Sequence, residues 1–510
     1  MIKSNGGIIG PDNVTTGGFN GVASGVFKLG EVTDLIRQSK WPEPSPFTNT
    51  VPNSVRFNSG SSDYLTKSFS TTGNRQKFTL SMWFKRGVVP TGNQSGTERM
   101  LFQAYQDSSN QDQIWLQSNG TINYVRNNAN AVTPSQVLSD PNAWYHVVFA
   151  GDTTQGSNAD RLKVYVNGTQ APIAQGDTIA QNSNFGAINN AQSYTFGKRN
   201  SNDWYFDGYM AETIMVDGQQ LAPTSFGVAN SDGVWTPIPY SGTFGTNGFN
   251  LQFENAAALG TDSSSNGNTF TVNNLTSLDQ STDYPEVNFS TLNPLVLIGN
   301  TGRTYADGNL TFNASSNNWT ATHSTIGASR GKWYAEFKVV TLASSTGYGN
   351  LGLMGTEGIT NGNFLDNANS VGTGLDYRGS AQVALYSGAS TVQNAGVAFA
   401  AGAIVGLAVD MDNKKFYLSQ NGTYLTVGGN VGNPTSGSTG TGSLAIPAGI
   451  ETFLFGLGGY STSFKGTWNF GSPSYAISSG NADANGYGNF EYAVPSGYYS
   501  LNTKNLGEFG

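Results

Sequence analysis

The sequence predicts an all-β protein: two antiparallel β-sandwiches in tandem, behind a short N-terminal segment with one helix. Three observations predict it. Gly supplies 66 of 510 residues, charged residues only 11% and aromatics 12%, which describes many turns and many core rings rather than a disordered chain. Apolar and polar residues alternate: in "KFTLSMWFKRG", Phe78, Leu80, Met82 and Phe84 interleave with Thr79, Ser81, Trp83 and Lys85, the period of a half-buried strand. The tripeptide NGT recurs in "IWLQSNGTI", "RLKVYVNGTQ" and "KKFYLSQNGTY". Each copy sits between strand-like runs, where Asn-Gly supplies the positive φ of a tight hairpin.

Residues 1–50 form the N-terminal segment. In "GEVTDLIRQSKWPEP", Val32, Leu35 and Ile36 share one helical face and Pro42 ends the run. Ten residues do not hold a helix alone in water, so that face must pack on something. "PEPSPFTNTVPN" follows as a stiff linker. Strand-like runs fill 51–275, including "WYHVVFAGD" and "YFDGYMAETIMVDG". A compositional pause at 276–290 reads as a linker, and a second sandwich fills 291–510. The apolar stretch "AGVAFAAGAIVGLAV" is too short and too rich in Ala and Gly to cross a bilayer.

The totals exclude several classes. A net charge of -8 argues against a nucleic-acid groove or a membrane-surface patch. With no Cys there is no disulfide, thiolate metal site or Cys nucleophile. "MIKSNGGIIG" lacks the apolar core of a secretory signal.

In the first block, "VRFNSGSSDYL", "FTLSMWFKR", "WYHVVFAGD", "RLKVYVNGTQ", "YTFGKRN" and "YFDGYMAETIMVDGQQLAPTSFG" follow one another. In that order they resemble a laminin-G-like domain of the concanavalin A-like superfamily. The second block has "RGKWYAEFKV", "GNLGLMG", "AIVGLAVDMDNKKFYLSQNGTY" and "WNFGSPSY", and resembles a SPRY domain. The fold implied is two tandem concanavalin A-like, jelly-roll sandwiches. The "GIIG…ASGVFKLGEV…KWPEP" start, the "FTVNNLTSLDQSTDYPEVNFSTLNP" joint and "VPSGYYSLNTKNL" at the end resemble structural proteins of tailed bacteriophages.

Catalytic candidates are sparse. The two His are His146, in a strand with Trp144 and Val148 on its face, and His323, with no Glu or second His nearby. No G-x-S-x-G elbow accompanies either. A glycosidase needs paired carboxylates, and laminarinase-like relatives carry Glu-x-Asp-x(-x)-Glu. No Glu here has Asp two residues later. Glu212 and Asp217, five apart, face opposite sides of a regular strand. Asp410 and Asp412 share a face but read as hairpin caps. The protein is therefore expected not to be an enzyme.

No cofactor is expected beyond calcium, for which one loop is a candidate. In "DSSSNGN", Asp262, Ser264 and Asn266 precede Gly267, like the front of an oxygen-ligand loop. The twelfth position is Asn273 rather than the bidentate Glu a tight site needs, so the same residues read more readily as a Ser/Asn/Gly turn. For sugar binding, "KRNSNDWYFDG" offers Lys198, Arg199, Asn202, Asp203, Trp204 and Tyr205. "LDYRGSAQ" offers Tyr377 and Arg378, where the SPRY resemblance implies a ligand-carrying loop.

The phage resemblance implies a virion-surface protein made in the host cytoplasm, a tail fibre or appendage. It would dock on capsid or tail proteins through Val32, Leu35 and Ile36 and touch host-surface polysaccharide weakly. A homo-oligomer is implied, with a trimer as the common fibre form; neither nucleic-acid binding nor membrane insertion is expected. A purely structural decoration protein and a glycan depolymerase are the alternatives.

Overall fold

The computed structural model describes residues 7–9, 26–28, 53–87, 99–176, 178–200, 204–230, 233–315, 317–341, 348–355, 362–365, 372–378, 382–388, 390–394, 399–460 and 464–510. Val32, Leu35 and Ile36, and the helix expected to carry them, lie outside the described residues. Gly7–Ile9 and Val26–Lys28 pair as a short antiparallel ladder.

The first sandwich stacks two sheets. One runs Thr169–Gln170, Leu162–Val166, Trp144–Asp152, Lys77–Arg86, Gly208–Asp217, Ser54–Phe57 and Gln280–Ser281, with Phe249–Leu251 also on Gly208–Asp217. The other runs Ile173–Gly176, Ala129–Pro134, Ile122–Arg126, Asn110–Leu116, Arg99–Asp107, Ser193–Phe196, Tyr64–Ser68 and Thr271–Asn273. As the alternation predicts, Phe78, Leu80, Met82 and Phe84 enter the core between the sheets. Asp112, fully buried among them, accepts hydrogen bonds from the backbone N–H of Gly186, Ala187 and Ile188 and from Tyr124 Oη. Burial pushes its carboxyl up while these donors oppose the shift. A connection is thereby pinned to the sheet.

The opposite face of Lys77–Arg86 is also covered. Val148, Ala150, Ile214, Val216 and Phe226 form one outer cluster, and Trp83, Trp144, Tyr209 and Ala211, joined by Trp235, form another. A bulge between Ala211 and Ile214 places Glu212 at φ 40° and resets the pleat. Met210 and Met215, five apart, both reach the core. The sequence argument from the five-residue spacing of Glu212 and Asp217 is therefore corrected: that spacing does not imply opposite faces here.

The second sandwich repeats the plan. One sheet runs Ile298–Gly299, Thr320–His323, Phe453–Tyr460, Tyr348–Gly355, Thr373–Arg378, Gln382–Ser387 and Ser390–Asn394. The other runs Arg303–Ala306, Thr311–Ala314, Lys465–Asn469, Lys332–Thr341, Ile404–Asp410, Lys415–Gln420 and Thr423–Tyr424. Leu351, Leu353, Leu375, Phe455 and Leu457 meet Phe337, Val405, Leu407, Phe416 and Trp468 between them. A C-terminal helix, Thr503–Phe509, which the sequence reading missed, is capped by Asn502 and stacks Phe509 on Tyr499 at 3.8 Å. No described helix is long and apolar enough to cross a membrane.

The hairpins differ in detail. Asn167 and Gly168 have φ of 46° and 79°, and Asn421 and Gly422 have 48° and 80°, the pairing of a type I′ turn. At the front copy only Gly120 is positive, at 87°. Its loop closes through Gln117 N–H to Thr121 O and Gly120 N–H to Gln117 O, so the same tripeptide serves a longer loop.

Residues 276–290, expected as a linker, are stitched to both sandwiches. Gln280–Ser281 pairs with Ser54–Phe57. Asp283 accepts from Lys85 Nζ at 2.8 Å and from Trp144 Nε1 at 3.0 Å, and Lys85 also donates to Asn288 Oδ1 and Phe289 O. Burial lowers the Lys85 ammonium, and the Asp283 charge opposes that shift. Arg56, 1% exposed, donates to Leu278 O, Ser472 O and Pro473 O. Tyr209 Oη donates to Gly308 O, and Ser281 Oγ meets Ser472 Oγ at 2.7 Å. This joint is polar and buried, with Arg56 Nε left without a hydrogen-bond partner among the described residues, and such a network fixes geometry more than it adds net stability.

Candidate functional site

The sheet of the first sandwich that contains Asn110–Leu116 presents an outer face of amides, hydroxyls and rings. Along that strand Asp112, Ile114 and Leu116 turn inward, so Gln111, Gln113 and Trp115 turn outward. Register places Gln103 opposite Gln113, Asn123 opposite Trp115, and Thr195 opposite Gln103. Gln103 and Gln113 both donate to Gln111 Oε1. In the amide orientation that satisfies both ends, Asn123 donates to Thr133 Oγ1 at 3.1 Å and accepts from Trp115 Nε1 at 3.2 Å. The buried Oε1 of Gln113 has no hydrogen-bond partner among the described residues.

The loop after Ser193–Phe196 folds back over this face. Asn200 N–H donates to Gln103 Oε1 at 2.6 Å. The Arg199 guanidinium lies 4.3 Å from the Trp204 ring centre and 5.7 Å from that of Trp115, and the two indoles meet edge to face at 5.3 Å. Lys198 Nζ lies 4.7 Å from the Tyr64 ring and 5.4 Å from the Tyr205 ring. Four of the sequence candidates, Lys198, Arg199, Trp204 and Tyr205, are thus brought together, while Asn202 and Asp203 lie outside the described residues. Sequence reasoning missed Tyr64, Trp115, Gln103 and Gln113. The strict alternation of "NQDQIWL" carried the signal for two of them, since Gln113 and Trp115 share a side of a strand.

Tyr377 is a correction. It is 4% exposed and packs on Phe399 and Phe464 in the core of the second sandwich. Leu375 and Tyr377 both turn inward, and of its neighbour Arg378 the backbone register opposite Tyr348 is described.

The loop at 262–268 is tied together by its own hydrogen bonds. Asp262 accepts from the N–H of Asn250, Ser264 and Asn268 and from Ser264 Oγ. Asn266 turns its Nδ2 toward Gly245 O and Gly248 O. Oxygens meant for calcium are spent on N–H and O–H donors, so Asp262, Ser264 and Asn266 make a hydrogen-bonded turn. Among the described residues no cluster of three or more His, Asp or Glu could hold a metal ion.

One Ser–His contact does exist. Ser81 Oγ is 2.8 Å from His146 Nε2, and Trp235 Nε1–H donates to His146 Nδ1 at 2.8 Å. The indole is a donor only, so Nδ1 must hold a lone pair and Nε2 the proton. His146 then donates to Ser81 and cannot take its proton, the reverse of a hydrolase dyad. Burial between Trp83 and Trp235 pushes its pKa down from the ordinary 6.5 to about 3. The carboxylates are similarly engaged: Asp217 accepts from Asn74 and Asn247 N–H, and Asp410 from Asn413 and Lys332.

Residues 58–219 match the family model of the concanavalin A-like lectin/glucanases superfamily. The first sandwich is a concanavalin A-like domain. Strands Phe249–Leu251, Thr271–Asn273 and Gln280–Ser281 extend its sheets beyond the matched residues. Solved structures are similar over parts of the chain. The SPRY domain of human HERC1 shares 11% identity over 34% of this chain and 91% of its own, with a TM-score of 0.23. A pentraxin from Limulus polyphemus shares 16% over 33% and 76%, with 0.24. A Bacteroides ovatus protein proposed to bind carbohydrate shares 13% over 44% and 59%, with 0.32. Among curated proteins none matches in sequence.

Proposed function

We propose that the protein binds glycans without catalysis, on the surface of a tailed-phage particle, as a fibre or appendage that touches host polysaccharide. The observation that carries the glycan reading is the outer face of the concanavalin A-like domain. There Trp115, Trp204 and Tyr64, each partly exposed, stand over a buried amide row of Gln103, Gln111 and Gln113 that fixes the sheet beneath them. Sugars are recognised by such ring faces, which meet their C–H groups. A non-enzymatic role is supported by the tautomer of His146 and by carboxylates already held by backbone donors. The virion setting, docking through residues 1–50 and assembly as an oligomer rest on the sequence resemblance alone. Many weak sites on one particle would act through avidity.

The test is binding of the fluorescently labelled full chain to intact bacteria, displayed multivalently on beads. Saturable binding that free surface polysaccharide competes away is expected. Release of reducing ends from that polysaccharide would instead favour the depolymerase. A structural decoration role has one observation in its favour, since Arg199 and Lys198 already lie over the rings. It predicts no cell binding at any valency.

A further inference from the structure

We propose that the second sandwich carries its own glycan-binding platform, built by Trp319, Tyr348 and Tyr460. It rests on the glycan reading only for the class of ligand; the site is separate, on a different domain. Register assembles it. Thr320 pairs with Gly459, so Trp319 stands opposite Tyr460; Tyr460 pairs with Tyr348, and Tyr348 with Arg378. Residues in one cross-strand row point to one face. That face is outward, because Leu351 and Leu457 on the same strands fill the core and a Cβ at Gly349 would lie 2.4 Å from the Phe464 ring.

The three rings converge to a triangle with sides of 5.9, 6.0 and 6.2 Å. Tyr348 is 39% exposed, and Trp319 and Tyr460 are half-buried. Farther along the sheet the same face is closed, since a Cβ at Gly458 would lie 2.6 Å from Gly362 O. The rings therefore sit where the face opens. The platform is also preset: Arg303 donates to Val296 O, Asn300 O and Thr320 Oγ1, and Asn300 N–H to Trp319 O. Little ordering remains to be done on binding.

The occupant follows from size and chemistry. A stable protein partner needs about 800 Å² on each side. A wholly buried aromatic side chain supplies about 150–250 Å², so three partly buried rings fall short. Trp319 and Tyr348, only 33° apart in plane, suit the C–H face of a pyranose, whose partial positive charge meets the negative ring face, while Tyr460 stands at 68° to Tyr348 and walls one side. Exposed Asn317 and Asn318, beside Trp319, supply amides for its hydroxyls.

The experiment screens the full chain on an array of hexopyranose oligosaccharides and titrates the best ligand by calorimetry. Trp319→Ala and Tyr348→Ala are compared with Trp204→Ala, and near-ultraviolet circular dichroism checks each fold. A loss of about tenfold or more in affinity, or of one binding site, in both second-sandwich variants is expected. Loss in Trp204→Ala alone would overturn the platform while leaving the proposed function standing. Loss in Trp319→Ala and Tyr348→Ala alone would keep the platform and remove the first face. No binding on the array would overturn both, and a ligand-independent dimer lost in Trp319→Ala would make a second copy the occupant.

Discussion

In the concanavalin A-like domain Arg199 and Lys198 lie over Trp204 and Tyr64, and a loop closes on the amides beneath. In the second sandwich Trp319, Tyr348 and Tyr460 contact one another at the open end of a sheet. The first arrangement shares its aromatic surface between a loop and any ligand; the second leaves more of it open. The difference teaches that an aromatic-rich loop in sequence can mark architecture. A row assembled from three distant strands can be the better site, although no local motif announces it.

The comparison presumes that the two sandwiches keep one relation, and the largest predicted effect tests that. Lys85→Ala leaves Asp283 buried without its cation, a loss of about 3–5 kcal/mol. Denaturant unfolding should split into two transitions, and limited proteolysis should open the 276–290 segment. Replacing both members by apolar residues, Lys85→Met with Asp283→Leu, should recover much of the loss.

Next in size is a pH effect confined to the first sandwich. Burial holds His146 neutral with a folded pKa of about 3, against an ordinary 6.5. Between those values the unfolded chain binds more protons, so stability should fall as pH drops from 6.5 toward 3. Asp63 works the other way. Burial, with Asp279 and Asp307 adding repulsion, raises its carboxyl from 3.8 to about 6. Here the folded state binds more protons, so stability should fall as pH rises from 3.8 through 6. Melting curves from pH 4 to 7 should flatten at the acid side in His146→Asn. In Asp63→Asn the loss on rising through pH 6 should disappear.

Much of the fold was legible because local pattern and tertiary structure agree. The alternation at Phe78–Phe84 and two of the three Asn-Gly turns gave strands and hairpins that the structure keeps. Lys85 was not legible as a joint residue: a Lys on the polar side of a strand reads as solvent-facing, and only the fold brings Asp283 to it. Tyr377 misled because its pleat parity depends on neighbours that carry the core, and "LDYRG" alone does not say which of two adjacent residues turns out. Trp115 shares its strand with Gln113, yet its partner Trp204 is far along the chain. The Asp262 turn offered the right oxygens for a cation, but hydrogen bonds to its own backbone had already claimed them.

The smallest predicted effect sharpens the contrast between the faces. Arg199→Ala removes two partly exposed cation–π contacts, on Trp204 and Trp115, worth about 0.5–1 kcal/mol each. It should lower the stability of the first sandwich slightly and loosen the loop at 198–205.

The central claim is that exposed aromatic faces on these sandwiches bind sugar, and the most direct test is titration of the full chain with purified bacterial surface polysaccharide, followed by tryptophan fluorescence. A saturable change that shrinks in Trp319→Phe and is abolished in Trp319→Ala combined with Trp204→Ala is predicted. A fluorescence signal that stays flat across a panel of such polysaccharides would contradict it.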